Sequence, residues 1–168
     1  MCIRDSYDGD PLPAPTQDDL VLVLGGSMGL EDLNHYNYPW LKKELQFIKR
    51  SLKNHIPIIG VCLGAQLLAY AAGGDVEVLE AGIPPQPLAE IGWHTVVSHV
   101  FKKDNKITTL LGKPFPVLHW HGDRILLPTT AELIASSCRC EEQLFQIGSL
   151  AYGIQFHVEI ENLSLIHI

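Results

Sequence analysis

The stretch Pro57-Ile58-Ile59-Gly60-Val61-Cys62-Leu63-Gly64-Ala65-Gln66 constrains this chain more than any other. An apolar run ends on a cysteine bracketed by two glycines and passes straight into an alanine- and leucine-rich segment. The pattern G-x-C-x-G has the mechanics of a nucleophile elbow: a buried strand stops, the chain reverses sharply into a helix, and the apex residue is held out above the sheet. Gly60 and Gly64 suit such a turn because a β-carbon at either place would obstruct the close packing of strand against helix. Residues 65–72 read as the helix, with Gly73-Gly74 as its C-terminal cap. Cys62 then stands at a helix N-terminus, where the partial positive charge favours thiolate over thiol. Taken alone, the same spacing also describes a buried structural cysteine in an ordinary strand-turn-helix crossover, because free cysteine is usually buried.

Upstream, residues 1–19 read as loop, with Asp8-Gly9-Asp10-Pro11 and Pro13-Ala14-Pro15 as turn and extended signals. Leu20-Val21-Leu22-Val23-Leu24 is an unbroken apolar run of the kind buried on both faces of a parallel sheet. It ends in Gly25-Gly26-Ser27-Met28-Gly29, whose backbone N–H groups suit a phosphate or an oxyanion. The turn lacks the G-x-G-x-x-G spacing and the Lys-Ser/Thr ending of a nucleotide site. From Pro39, the positions Leu41, Leu45, Ile48 and Leu52 recur at helical spacing, and Asn54 and Pro57 close that helix. Two successive strand–helix units imply right-handed crossovers and a doubly wound, mostly parallel α/β sheet with helices flanking both faces. After Gly74 the texture turns β-rich, with runs at 76–79, 93–98, 115–121, 124–127, 133–136, 144–147 and 152–158 and turns at Gly122-Asp123 and Gly148-Ser149. Residues 81–87 read as a proline-rich loop and 108–112 as one short helical turn.

The length of 168 residues suits one domain with a real core. Only a loop precedes the first strand, and nine residues follow Glu159. Residues 1–6 and 163–168 have no place in the pattern, so the expectation is a single domain over 1–168, truncated at both ends, with non-native terminal residues. With 46% hydrophobic and 18% charged residues the chain is globular in composition. A formal charge of −7 and 12 scattered Lys and Arg argue against a nucleic-acid surface; Lys42, Lys43, Lys49, Arg50 and Lys53 read as the solvated face of one helix. No apolar segment reaches the ~18 residues that span a bilayer, and the N-terminus lacks a signal-peptide core, so no membrane contact and a cytoplasmic location are expected. Cys2, Cys62, Cys138 and Cys140 make no disulfide framework in a chain this rich in core residues. Cys138-Arg139-Cys140 has no companion pair for zinc, and the sequon Asn162-Leu163-Ser164 has no meaning in a reducing compartment.

Phe156-His157-Val158-Glu159 carries the second half of a possible catalytic set. A strand's period of two puts His157 and Glu159 on one face. A nucleophilic thiol needs a neutral imidazole to take its proton, and that imidazole needs a carboxylate on its other nitrogen to fix tautomer and orientation. By itself the segment is equally a strand-end histidine beside a solvated glutamate. His119-Trp120-His121-Gly122-Asp123 offers two imidazoles at i and i+2 with a carboxylate beyond. The residue types suit zinc, yet no third His or Cys stands at a companion spacing, so no metal is expected.

Gly25-Gly26, Gly60-Val61-Cys62-Leu63-Gly64-Ala65-Gln66 and Phe156-His157-Val158-Glu159, in that order, resemble the class I glutamine amidotransferases, of the stand-alone kind similar to the glutaminase part of GMP synthase. The resemblance covers roughly residues 12–161. It implies a flavodoxin-like amidotransferase fold, with Cys62 as nucleophile, His157 as general base and acid, and Glu159 as third member of the triad. It also implies an oxyanion hole from the backbone N–H groups of Gly26 and Leu63, a glutamine-holding role for Gln66, and a cleft bordered by His121 and Glu90-Ile91-Gly92-Trp93. Ser27 stands where the family usually has proline, which leaves the oxyanion turn less restrained. The family's opening strand and helix and its closing helix are not seen. The implied activity is release of ammonia from the glutamine side chain through a γ-glutamyl thioester, without a cofactor, the ammonia passing to a separate synthase or acceptor-activating partner. A γ-glutamyl peptide hydrolase with the same triad, or a non-catalytic regulatory module on the same scaffold, are the alternatives.

Overall fold

A computed structural model of the chain describes residues 3–99 and 113–159. The helical turn expected at 108–112, the sequon, Cys2 and residues 163–168 lie outside the described residues. Strand β1 (Val21–Val23), helix α1 (Pro39–Lys53), strand β2 (Ile58–Val61) and helix α2 (Leu63–Ala71) follow in the expected order. Pro39 opens α1, where its missing N–H has no helical acceptor to lose. Leu41, Leu45 and Ile48 form its buried stripe. Leu41 and Ile48 are fully buried, and each such side chain stabilises by about 1.5–3 kcal/mol. Helix α2 is buried from Leu63 through Ala69, as its largely apolar composition requires, with Gln66 the polar exception.

The second half supplies β3 (Asp75–Val78), β4 (Glu80–Ala81), β5 (Gln86–Pro87), β6 (Glu90–Ser98), β7 (Phe115–His121), β8 (Asp123–Leu126), β9 (Ala131–Ser136), β10 (Leu144–Ile147) and β11 (Ala151–Ile154). One seven-stranded sheet runs β1-β2-β11-β10-β9-β6-β7, and β3 pairs with β8 apart from it. The expected proline-rich loop at 81–87 is spanned by the small hairpin β4–β5. The α/β class with a β-rich second half is as expected. Parallel pairing, however, is confined to β1 with β2 and β2 with β11, and the remaining four pairings of the sheet are antiparallel. The reason is the length of the connections: β10 and β11 are joined through 148–150, with Gly148 at φ +58°, and so short a link can only return the chain antiparallel.

Both helices pack on each other and on one face of the sheet, around a core that includes Val21, Ile58 and Phe145. Leu20, Leu22 and Leu24 are exposed, so the run expected to be covered on both faces is covered on one. A second apolar cluster joins Val96, Val117, Ile134, Leu144 and Phe156 beneath the segment that follows β11. At the N-terminal side Ser6 donates to Glu44 and Tyr7 meets Trp40 edge-on, seating residues 6–7 on α1.

The contact that positions everything functional lies at the β2–α2 junction. A methyl group on Gly60 would overlap the Gly64 carbonyl, and one on Gly64 would overlap the Val23 carbonyl. Gly64→Ala therefore sets two effects against each other: helix propensity favours alanine by about 1 kcal/mol, whereas forced separation of α2 from β1 costs about 1–3 kcal/mol. Overpacking against backbone should win, and urea unfolding should show a lowered midpoint; a raised midpoint would mean that α2 and β1 are free to move apart.

Candidate active site

Cys62 caps α2 directly after β2. Its N–H donates to the Ile154 carbonyl at 2.8 Å, and its own carbonyl accepts the N–H groups of Ala65 at 2.9 Å and Gln66 at 3.1 Å. Strand and helix thus hold the residue from both sides, at φ 53° and ψ −113°. A non-glycine residue in such a sparsely populated region costs of order 1–3 kcal/mol and persists only where its surroundings over-determine it. The elbow read from the sequence is therefore present, and its apex residue is 7% exposed.

Three segments distant in sequence meet at this thiol. A methyl group on Gly25 would lie 3.2 Å from Cys62 Cβ, 3.7 Å from Cys62 Sγ and 3.4 Å from His157 Cε1. The glycine turn after β1 and the His157 imidazole therefore border the same space beside the sulfur. The backbone of His157 has left the β11 ladder, which ends at Ile154, and its N–H instead donates to the Leu118 carbonyl of β7 at 2.8 Å. The expected partnership with Glu159 is made all the same: Nδ1 lies 2.6 Å from Glu159 Oε1, while Oε2 accepts the Val158 N–H at 2.9 Å. Nδ1 donates to the carboxylate in this charge-assisted bond, which leaves the lone pair on Nε2.

The backbone N–H of Leu63, next to the Cys62 sulfur in sequence, favours its charged form. Gly26 is exposed beside the Leu63 side chain, 3.2 Å separating Leu63 Cδ2 from where a Gly26 methyl would sit. Next to it, Ser27 Oγ donates to Met28 Sδ at 3.3 Å. Gln66 is buried in the first turn of α2 and donates from Nε2 to Gln155 Oε1 at 3.4 Å, a partner that sequence reasoning did not single out.

The helix N-terminus does not poise a thiolate, contrary to expectation. Burial pushes the Cys62 thiol up to about 11; the Leu63 N–H opposes this, while the carboxylates of Glu159 and Asp123 reinforce it. Desolvation scales with everything packed around the sulfur, whereas the dipole acts through the first turn alone.

The histidine pair of β7 is placed differently from the cleft wall expected of His121. His119 and His121 are both buried, and Glu90, the cross-strand partner of His121 in the β6–β7 ladder, is buried with them. Glu90 Oε2 lies 3.5 Å from His119 Nδ1 and 3.3 Å from His121 Nε2. It also accepts hydrogen bonds from Gln143 Nε2 at 2.9 Å and Ser137 Oγ at 3.0 Å. His121 Nδ1 donates to the Asp123 carbonyl at 2.8 Å, so its ring is engaged within the protein on both sides. Burial pushes His119 down to about 4, so that ring is neutral. Burial alone would raise the Glu90 carboxyl, but the facing His121 side chain, the hydrogen bond from Ser137 and the electrostatic influence of both neighbouring imidazoles bring it below the usual range. Glu90 Oε1 and both nitrogens of His119 have no hydrogen-bond partner among the described residues, and each such orphan ordinarily costs about 1–3 kcal/mol. The Glu90 partnership escaped the sequence because only the antiparallel register of β6 on β7 creates it. Ile91 and Trp93, expected at the cleft, are exposed on the same hairpin.

A buried neutral thiol has a measurable signature. Alkylation of Cys62 by iodoacetamide in the ligand-free chain, followed by peptide mass, should keep accelerating with pH beyond about 9, with exposed Cys138 modified sooner at neutral pH. A Cys62 rate that has already levelled off below about pH 8, under the range of an unperturbed thiol, would reveal a preformed thiolate.

Residues 9–162 match the family model described as Glutamine amidotransferase class-I. The chain is 30% identical over 162 residues to the glutamine amidotransferase-like protein YfeJ of Salmonella typhimurium, covering 91% of this chain and 62% of that one. It is 32% identical over 149 residues to a glutamine-hydrolysing GMP synthase subunit from Methanothermobacter thermautotrophicus, covering 88% and 69%. Among solved structures, a glutamine amidotransferase from Thermotoga maritima superposes with a TM-score of 0.80 at 34% identity, covering 97% of this chain and 66% of the other. The chain thus spans roughly two thirds of the length of these relatives. The matched stretch runs through the glycine turn, the elbow and the segment bearing His157 and Glu159, and on that ground the chain belongs to the class I glutamine amidotransferase family.

Proposed function

We propose that the chain releases ammonia from the side-chain amide of glutamine, with Cys62 as nucleophile, His157 as proton carrier and Glu159 as its orienting carboxylate. The observation that carries this reading is the meeting of Gly25, Cys62 and His157 around one space, with His157 Nδ1 held 2.6 Å from Glu159. Nε2 of His157 takes the thiol proton as Sγ attacks the amide carbon, and the imidazolium so formed is stabilised by Glu159. The tetrahedral oxyanion is met by the N–H of Leu63, which already favours the charged sulfur, and by that of Gly26 on the turn beside it. His157 returns its proton to the departing nitrogen, which leaves as ammonia. It then deprotonates a water that opens the γ-glutamyl thioester, yielding glutamate and the free thiol. The bond from Gln66 to Gln155 uses one amide N–H of Gln66, and the rest of its hydrogen-bonding capacity serves the glutamine moiety. A neutral resting thiol fits this scheme, since thiolate forms only when substrate is present to consume it. Relatives named as single subunits of a glutamine-hydrolysing GMP synthase support a separate partner protein as the destination of the ammonia.

Cys62→Ala and His157→Ala should each remove nearly all glutamine turnover, while Glu159→Gln keeps roughly 10–100 times more, because it orients rather than transfers. A glutamine-derived diazoketone should label Cys62, located by peptide mass. Cleavage of γ-glutamyl peptides without glutamine turnover would shift the substrate to those conjugates. Labelling of another residue, or neither turnover nor labelling in folded protein, would refute the reading.

The Gly26 turn generates a further expectation. Proline after Gly26 would fix its own φ and restrict the glycine before it, and Ser27 does neither. One misaligned oxyanion donor typically costs ~10²–10³ in rate, so basal turnover without a partner should be slow while diazoketone labelling persists. Brisk turnover by the isolated chain would show the oxyanion hole to be already complete.

A further inference from the structure

We propose that Glu90, His119 and His121 form a binding site for a divalent metal ion of the zinc class. Their ligand atoms lie within 4.8 Å of one another, and all three side chains are buried. The distances from Glu90 Oε2 to His119 Nδ1 and His121 Nε2 are 3.5 and 3.3 Å. Ligands bound tetrahedrally at roughly 2.0–2.2 Å from zinc stand roughly 3.3–3.5 Å apart, so those two edges of the coordination figure already exist. Charge-assisted hydrogen bonds between the same groups would be shorter, at roughly 2.7–2.9 Å. The oxygen concerned also accepts from Gln143 and Ser137, which leaves it crowded for two more N–H donors.

The outer partners point the same way. The bond from His121 Nδ1 to the Asp123 carbonyl turns the Nε2 lone pair into the cluster, the arrangement that metal-binding histidines ordinarily have. Gln143 and Ser137 fix the carboxylate. Neither nitrogen of fully buried His119 makes a well-formed hydrogen bond among the described residues, although the ring lies beside the His94 backbone; Nδ1 faces Glu90. An ion would satisfy that nitrogen, which no protein group among those described does. Two imidazoles and one carboxylate favour zinc over calcium or magnesium, which prefer oxygen ligands throughout. A cleft of about 380 Å³, lined in part by Arg124, Ser136, Ser137 and Cys140, borders the Ser137 whose hydroxyl holds Glu90. The ion's role would be structural. His119 follows Leu118, whose carbonyl holds His157, and the His119 ring packs on Phe156 at 6.2 Å between centroids. The site stands or falls independently of the glutaminase reading.

The test uses the full chain, stripped with chelator and titrated with zinc in a calorimeter, where one ion per chain is expected. Cobalt in its place should give the visible bands of a tetrahedral nitrogen and oxygen site without a thiolate charge-transfer band. His119→Gln should abolish binding, and Ser137→Ala, at a half-buried hydroxyl, should weaken it about 10–100-fold. A Cys138→Ser, Cys140→Ser double variant should bind as the parent does. If His119→Gln does not fold, the cobalt spectrum and Ser137→Ala decide. No zinc uptake by the folded parent, a thiolate band, or binding unchanged in Ser137→Ala or in folded His119→Gln would overturn the proposal.

Discussion

The structure depends on one close approach of backbone to backbone, where Gly60 and Gly64 let β2 and α2 touch and Gly64 rests against the Val23 carbonyl of β1. That contact does two things at once. It forces the turn through Cys62 into a positive φ that the side chain would not choose, and it brings the end of β1 against the start of α2. Gly25 follows β1 almost immediately, so the glycine turn is delivered to the sulfur by the same packing that creates the elbow. A side chain at either glycine would separate the two parts of the site as well as weaken the core.

Around the sulfur, burial and the helix dipole oppose each other, and burial wins. The thiol is held neutral at about 11 while a His157–Glu159 pair stands beside it. The proton transfer that makes the nucleophile is thereby tied to the event that needs it, and the resting cysteine is protected from alkylation and oxidation.

The antiparallel half of the sheet places the base. β11 ends before His157, and the Leu118 carbonyl of β7 takes over its N–H. Behind that bridge lie two buried polar groupings, Gln66 with Gln155 and Glu90 with the two histidines, Ser137 and Gln143. Buried polar groups are stabilising only when fully partnered, and both groupings keep atoms without a partner among the described residues: Gln155 Nε2 in the first, and Glu90 Oε1, Gln143 Oε1 and both His119 nitrogens in the second.

The sequence by itself determined whatever depends on neighbours a few residues apart. The G-x-C-x-G turn, the stripe of α1 and the closeness of His157 to Glu159 all appear where residue spacing puts them. Even there the last case came out through an irregular backbone rather than a continuous strand, since a two-residue separation brings the side chains together either way. Tertiary structure alone decided the rest. Leu20, Leu22 and Leu24 read as buried on both faces, but the helices of the described chain cover one face, and hydropathy carries no information about which. Glu90 meets His121 through a cross-strand register that no local spacing encodes. The thiol of Cys62 is raised rather than lowered because desolvation sums over all the atoms that surround it, and that sum exists only once the chain has folded.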